Sequence, residues 1–428
     1  MLRGLILFWT FLGIHAVQAT RDSSLRYANA IYEPAIHTVR LNQIESGFNV
    51  PLVQVGESEA LRLEFDEFNE NLDYYQYTLI HCDAQWQPSA LNSTQFLSGM
   101  GYEELGNPSF STQTLTKYVH YSAAIPSENV LPKVGGNYLL VVYRNYDLED
   151  IVLSRRIFVL DTKGRVDQML VSQSSQMELR RTHQEVDFNF IAYDNYFMPN
   201  PLQDLKVVIM RNMEWNSAIT DLKPQYMMGK SFQYQHQVGN QFQGGNQYRG
   251  FDIRSTRTAL LGVVKRYDFA GQKHIDLVTD QARTYERYFN WSDYNGRYFL
   301  DSRDVPLPGG VAFESDYCFV HFSLKADERE EPIYVYGELS DWQLLESHRL
   351  YYNPSNGLYE AVLPLKQGYY NYQYIVQDPS GALDFKPLEG SHGETENNYM
   401  VFVYHRNVQL GFDELIGYGL KNLVTNSR

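Results

Sequence analysis

Leu61-Arg62-Leu63-Glu64-Phe65-Asp66 alternates apolar and charged side chains, the period of a strand with one face in a core and one in water. The signal recurs along the chain. In Tyr75-Gln76-Tyr77-Thr78-Leu79-Ile80-His81, residues Tyr75, Tyr77, Leu79 and His81 share a face, and residues 35–41 put Ile36, Thr38 and Arg40 on one face. Gly135-Gly136 is turn chemistry that feeds an apolar run over 139–143. A strand over 152–160 sets Arg155 and Arg156 on opposite faces, so one of them needs a partner on the core side. Between these strands, 86–126 is long and polar. A connection of that length is expected to be ordered by its own side chains and to lie across the sheet.

Further strands are predicted over 186–193 and 206–210, joined through Pro199 and Pro201. Residues 231–247, rich in Gln, Gly and Asn, read as a hairpin or a mobile loop. A linker from Val305 opens a third series of strands at 319–324, 333–337, 358–365 and 369–376, the short spacing of a sandwich. Gly417 and Gly419 argue against a helix in the apolar stretch after 405. The pattern therefore predicts an all-β protein of two to three consecutive Ig-like or β-sandwich modules. Its divisions are a first β-sandwich over 20–160, a second β domain over 161–304, a third sandwich over 305–405 and a tail over 406–428.

Composition sharpens this. The chain of 428 residues holds 34 Tyr and 23 Phe, residues that favour half-buried pleated surfaces. Met1-Leu2-Arg3, a short apolar run over 4–14, and Val17-Gln18-Ala19 predict a signal peptide over 1–19. No Cys follows Ala19, which argues against a lipid anchor, so an exported, periplasmic chain is expected. A net charge of −15 argues against nucleic acid and anionic membrane surfaces as partners. Cys82 and Cys318, the two cysteines, read as small buried hydrophobes rather than a bridge.

Nothing in the pattern points to catalysis, a cofactor or a metal. The chain lacks Gly-x-Ser-x-Gly, the P-loop, the dinucleotide-binding glycines and His-Glu-x-x-His. Asp327-Glu328-Arg329-Glu330-Glu331 reads as a solvated loop. His81-Cys82-Asp83 does not suit a thiol nucleophile, because neighbours on a strand point to opposite faces.

In the third module, Gly337-Glu338-Leu339-Ser340-Asp341-Trp342 and Gly368-Tyr369-Tyr370-Asn371-Tyr372-Gln373-Tyr374 are similar to the early-set immunoglobulin-like fold of glycogen- and starch-binding modules. The resemblance puts Trp342 at the first sugar platform and makes it a candidate sugar or partner contact. Ala382 and Leu383 stand where a second aromatic platform is usual, and Gln373 where a lysine is. An exported carbohydrate-binding protein using this module is the alternative reading.

A second resemblance covers most of the chain. His81-Cys82-Asp83 with Trp86, Pro88-Ser89 and Leu91 is joined by Tyr118-x-x-Tyr121, Ile125-Pro126, Gly136-Asn137-Tyr138 and Arg155-Arg156-Ile157-Phe158, and by Asp413-x-Leu415-Ile416-Gly417 near the end. The pattern resembles the plug protein family of the type IX secretion system. Gly135 stands where members usually show Ser. The resemblance implies a non-enzymatic, monomeric periplasmic protein, associated with the outer membrane through its partner. That partner is a giant translocon β-barrel, whose periplasmic opening the plug closes when no cargo is engaged. His81, Cys82, Asp83, Trp86, Gly136, Asn137, Tyr138 and Arg156 are read as fold determinants.

Overall fold

A computed structural model describes residues 24–422, apart from 45–49, 70–71, 107, 221, 237, 285 and 306–309. The expected signal peptide, most of the linker after Val305 and the last six residues of the expected tail lie outside the described residues. Among the described residues the chain is all-β, with helix confined to single turns such as Ser93–Phe96 and Lys386–Glu389. The strands read from periodicity form, with shifted ends, at Leu61–Glu67, Tyr75–Cys82, Gly136–Arg144 and Asp147–Leu160. Those after the linker form at Tyr317–Lys325, Ile333–Tyr336, Leu358–Lys366 and Gly368–Gln377. One alternation breaks. The register of Ile36–Gln43 slips between His37 and Arg40, with Thr38 at φ 51°, so Ile36 and Val39 reach the core instead of Thr38 and Arg40.

Four sheets stack face to face. A four-stranded sheet (Ile36–Gln43, Leu61–Glu67, Val119–Ile125, Ser109–Phe110) covers one face of a six-stranded sheet. The latter holds Ala30–Ile31, Asp147–Leu160, Gly136–Arg144, Tyr75–Cys82 and Glu103–Glu104, with Leu52–Gln54 paired to it in parallel. Leu61, Leu63, Phe65, Tyr77, Leu79 and Leu140 fill the seam. The other face of the six-stranded sheet is dry too. Cys82, Leu139, Val141 and Phe158 pack on Val208, Met210, Phe402 and Leu415 of a three-stranded sheet, Leu205–Arg211, Asn398–Asn407 and Phe412–Asn422. Its far side meets the fourth sheet, built on Gly164–Gln173 and His183–Ala192, through Phe188, Phe190, Val207 and Val401. At about 10 Å per packed pair of sheets, the three apolar seams span about 30 Å. A strand buried on both faces reads as a continuous apolar run, which is what 139–143 and 207–210 are.

The sheets ignore the linear divisions. Phe412–Asn422, expected in a tail, is a full strand paired along Asn398–Asn407. Gly417 belongs there because a Cβ would lie 2.7 Å from the Phe190 ring. The remaining large sheet has eleven strands and draws Arg249–Asp252, Val263–Phe269 and Gln272–Leu277 from ahead of the expected boundary at 305. It folds over a core of its own, where Phe251 and Tyr372 from one half meet Phe322 from the other at ring distances of 5.3–5.5 Å. The 86–126 connection is not one long loop: it ends in Val119–Ile125, an inner strand of the four-stranded sheet, and it pairs at sheet edges before that. Its Glu103–Glu104 pairs with the six-stranded sheet and its Ser109–Phe110 with the four-stranded one. Residues 231–247 supply two strands, Ser231–Tyr234 and Gln241–Gln243, which both pair with His183–Ala192.

Candidate functional site

The motif residues of the first unit converge where the six-stranded sheet meets the C-terminal strand pair. Gly136 lies at φ 148°, and a Cβ there would come within 2.4 Å of His81 Nε2 and 3.0 Å of the Asp413 carbonyl oxygen. Glycine therefore lets the strand close onto the imidazole. The His81 ring sits edge-on to Tyr138 at 4.9 Å and to Phe412 at 5.4 Å. Burial lowers its pKa to about 4, against the pull of the Gly135 carbonyl and nearby carboxylates, so it is neutral. Cys82 is on the opposite face, and burial raises its thiol to about 12, far from the thiolate that nucleophilic chemistry uses.

Asp83 Oδ1 accepts the backbone N–H groups of Gln85 and Gln87, both at 2.9 Å. This turn presents Trp86, itself in the left-handed region at φ 64°. The Arg156 guanidinium lies against two indoles that meet edge-on, 4.5 Å from the Trp86 ring and 4.8 Å from Trp215, and donates to the Tyr27 carbonyl at 2.8 Å. Burial lowers its pKa to about 10. Asn137 donates to the Asp83 carbonyl at 2.9 Å and accepts from Tyr404 Oη at 2.8 Å. Across the seam, the Asp413 carboxylate accepts from Ala84 N at 3.1 Å, Lys206 Nζ at 2.8 Å and Arg406 Nη1 at 3.2 Å. Burial alone would raise Asp413, but these donors hold it below the usual carboxylate range. The motif is thus a seat for the C-terminal strands.

Beside this seat a cleft of about 250 Å³ opens between the first unit, the three-stranded sheet and the eleven-stranded unit. Arg155 crosses it to Asp341 at 2.9 Å and also donates to the Ser154 carbonyl at 2.9 Å. It is the arginine on the parity of Leu153 and Ile157, so the partner expected on that face is Asp341, from a distant part of the chain. Gln343 Nε2 donates across the same junction to the Asn29 carbonyl at 2.7 Å. Consecutive left-handed residues, Asp341 at φ 52° and Trp342 at φ 57°, make the turn that reaches in. Trp342 is 8% exposed and packs edge-on to Tyr248 at 6.1 Å and Tyr336 at 5.6 Å. It lines the same cleft as Arg155 and Arg156. Stacking on a sugar needs an open ring face, and this ring is enclosed.

A third link is sealed from water. Asp66 accepts from Lys366 Nζ at 2.6 Å, Tyr317 Oη at 2.6 Å and His120 Nδ1 at 2.7 Å. Lys366 also lies 4.2 Å from the centre of the Tyr118 ring. Burial pushes the Asp66 carboxyl up, but Lys366 and His120 outweigh it and hold it below its ordinary value. Among the described residues, no three His, Cys, Asp or Glu side chains are grouped to hold a metal ion. Among them too, no helix is long and apolar enough to cross a membrane, which says nothing of strands.

Residues 36–161 match the family described as type 9 secretion system plug protein 1st domain. This stretch therefore carries a first domain of the type IX secretion system plug protein family. The match ends one residue after the last strand of the six-stranded sheet. A crystal structure of a hypothetical protein from Parabacteroides merdae ATCC 43184 superposes on this chain with a TM-score of 0.88 and 26% identity, covering 93% of this chain and all of that one. The stacked-sheet architecture is therefore shared along nearly the whole length. An alkylpurine DNA glycosylase from Pseudomonas fluorescens aligns at a TM-score of 0.16 and 11% identity over 29% of each chain, too little for a common fold. No curated protein matches.

Every charged group described at these junctions already has a partner inside the protein, and the rings fill the space between units. The arrangement clamps sheets together. Sequence reasoning missed Asp66, Lys366, Tyr317 and the Arg155–Asp341 pair. Asp66 continues an alternating strand as its polar position, and nothing local marks that its wet face is covered by a lysine 300 residues away.

Proposed function

We propose that this protein is a periplasmic, non-enzymatic plug that closes the periplasmic opening of the outer-membrane translocon barrel of the type IX secretion system when no cargo is engaged. The match of residues 36–161 to the plug family carries this reading. The architecture supports it. A stopper must resist deformation, and sheets joined by continuous apolar seams and buried ion pairs cannot slide without exposing both. The one thiol in the family motif is held protonated by burial.

The test is affinity purification of the tagged full chain from solubilised outer membranes, with permeability measured in a gene-deletion strain. Recovery of a very large barrel, together with entry of solutes the outer membrane normally excludes, is expected. A tight membrane and no barrel would overturn the proposal.

A further inference from the structure

The hairpin between Gly136–Arg144 and Asp147–Leu160 turns through Asn145 at φ 53° and Tyr146 at φ 60°. Two left-handed central residues define a tight turn whose second position favours glycine, because only glycine avoids the Cβ clash there. Here it carries tyrosine, 58% exposed. A bulky residue held in a strained conformation and pointed at water is the kind of local cost that persists at sites of function.

The neighbours continue the pattern. Tyr102 meets Tyr146 edge-on at 5.9 Å, and Tyr146 hydrogen-bonds to Glu104. The Tyr74 carbonyl accepts from Asn145 N at 3.1 Å, and the Tyr74 ring is 73% exposed. Leu148 stands out at 59% exposure. Around these apolar groups lie Glu103, Glu104, Asp147 and Glu149. The base among them, Arg144, is already bound to Glu33, Asp73 and Asp150 at 3.0–3.1 Å. The result is an aromatic patch with an uncompensated acidic rim, at the edge where the six-stranded sheet ends in the two-residue strand Glu103–Glu104. Tyrosines at the centre and charge at the rim are the anatomy of a protein-binding surface.

We propose that this tip, built on Tyr102, Tyr146 and Leu148, is the surface that seats on the translocon barrel, against a cationic rim of lysine and arginine side chains. The acidic rim selects the sign of the partner and makes the attachment sensitive to salt. The proposal rests on the plug reading given above.

The experiment is the same pulldown with the full chain, comparing wild type, Tyr146→Gly, and Asp147→Lys combined with Glu149→Lys, with the unfolding midpoint of each measured in parallel. Tyr146→Gly is expected to raise the unfolding midpoint, because it relieves the turn, while lowering barrel recovery about tenfold. The double lysine variant lies on exposed turn residues. It is expected to keep its midpoint and to lose recovery to the same extent, and wild-type recovery is expected to fall as salt is raised. Wild type that brings down no barrel overturns the plug reading itself. Wild type that brings down the barrel alongside variants that do so equally overturns this surface and leaves the plug reading standing. A lowered midpoint with full recovery in Tyr146→Gly makes Tyr146 a structural clip, and also overturns the proposal.

Discussion

Asp66 shows how much a single buried charge decides. Its carboxylate neutralises Lys366 where neither side chain reaches water, so removing one partner strands the other in a low-dielectric interior. Asp66→Asn is expected to lower stability by about 3–5 kcal/mol, read from denaturant midpoints at unchanged slope. Asp66→Asn with Lys366→Met should recover a large part of that loss, and an additive double mutant would show that the pair does not couple the units. His81 makes a prediction in pH. Its folded pKa of about 4 lies below the ordinary 6.5, so between those values the unfolded chain binds a proton that the folded one refuses. Stability therefore falls as pH drops from 6.5 towards 4. His81→Gln should flatten that slope by about 1.4 kcal/mol per pH unit. Neither effect is legible locally, since His81 and Asp66 look like ordinary members of alternating strands.

At the level of elements, the C-terminal strand departs furthest from what periodicity suggests. Its glycines rule out a helix but say nothing of a sheet. They are tolerated, and required, because Gly417 faces the Phe190 ring and Gly419 faces Val166, both on strands more than 200 residues earlier. Gly417→Val would improve strand propensity and still is expected to destabilise by about 1–3 kcal/mol through overpacking. Unfolding in urea measures this, and an unchanged or raised midpoint would refute it. Gly136 is the companion case, since its Cβ would enter space that His81 fills. The half-buried strands were readable because alternation is local physics. The bulge at Thr38 was not, because a register slip depends on the partner strand.

For the whole molecule, seams shared between sheets predict cooperativity. The six-stranded and three-stranded sheets each contribute to two cores, so neither sandwich can open without baring the other. Calorimetry should give one transition for these sheets, with calorimetric and van't Hoff enthalpies in agreement. Separate first and second transitions would mean that the seam through Phe158 and Phe402, whose rings stack at 4.2 Å, is only a weak contact. A rigid body of this kind fits the plug role proposed above.

Taken alone, the sequence determined the class of the protein. Period-2 patterning, abundant tyrosine and the motif around His81, Trp86 and Asn137 are properties of neighbouring residues, and they identify an all-β chain with a plug-family first domain. Tertiary structure decided which faces are dry, which arginine meets Asp341, and that the last strand locks the first unit in place. Those outcomes join residues hundreds of positions apart, and the period of a strand records that a face is buried without recording what buries it.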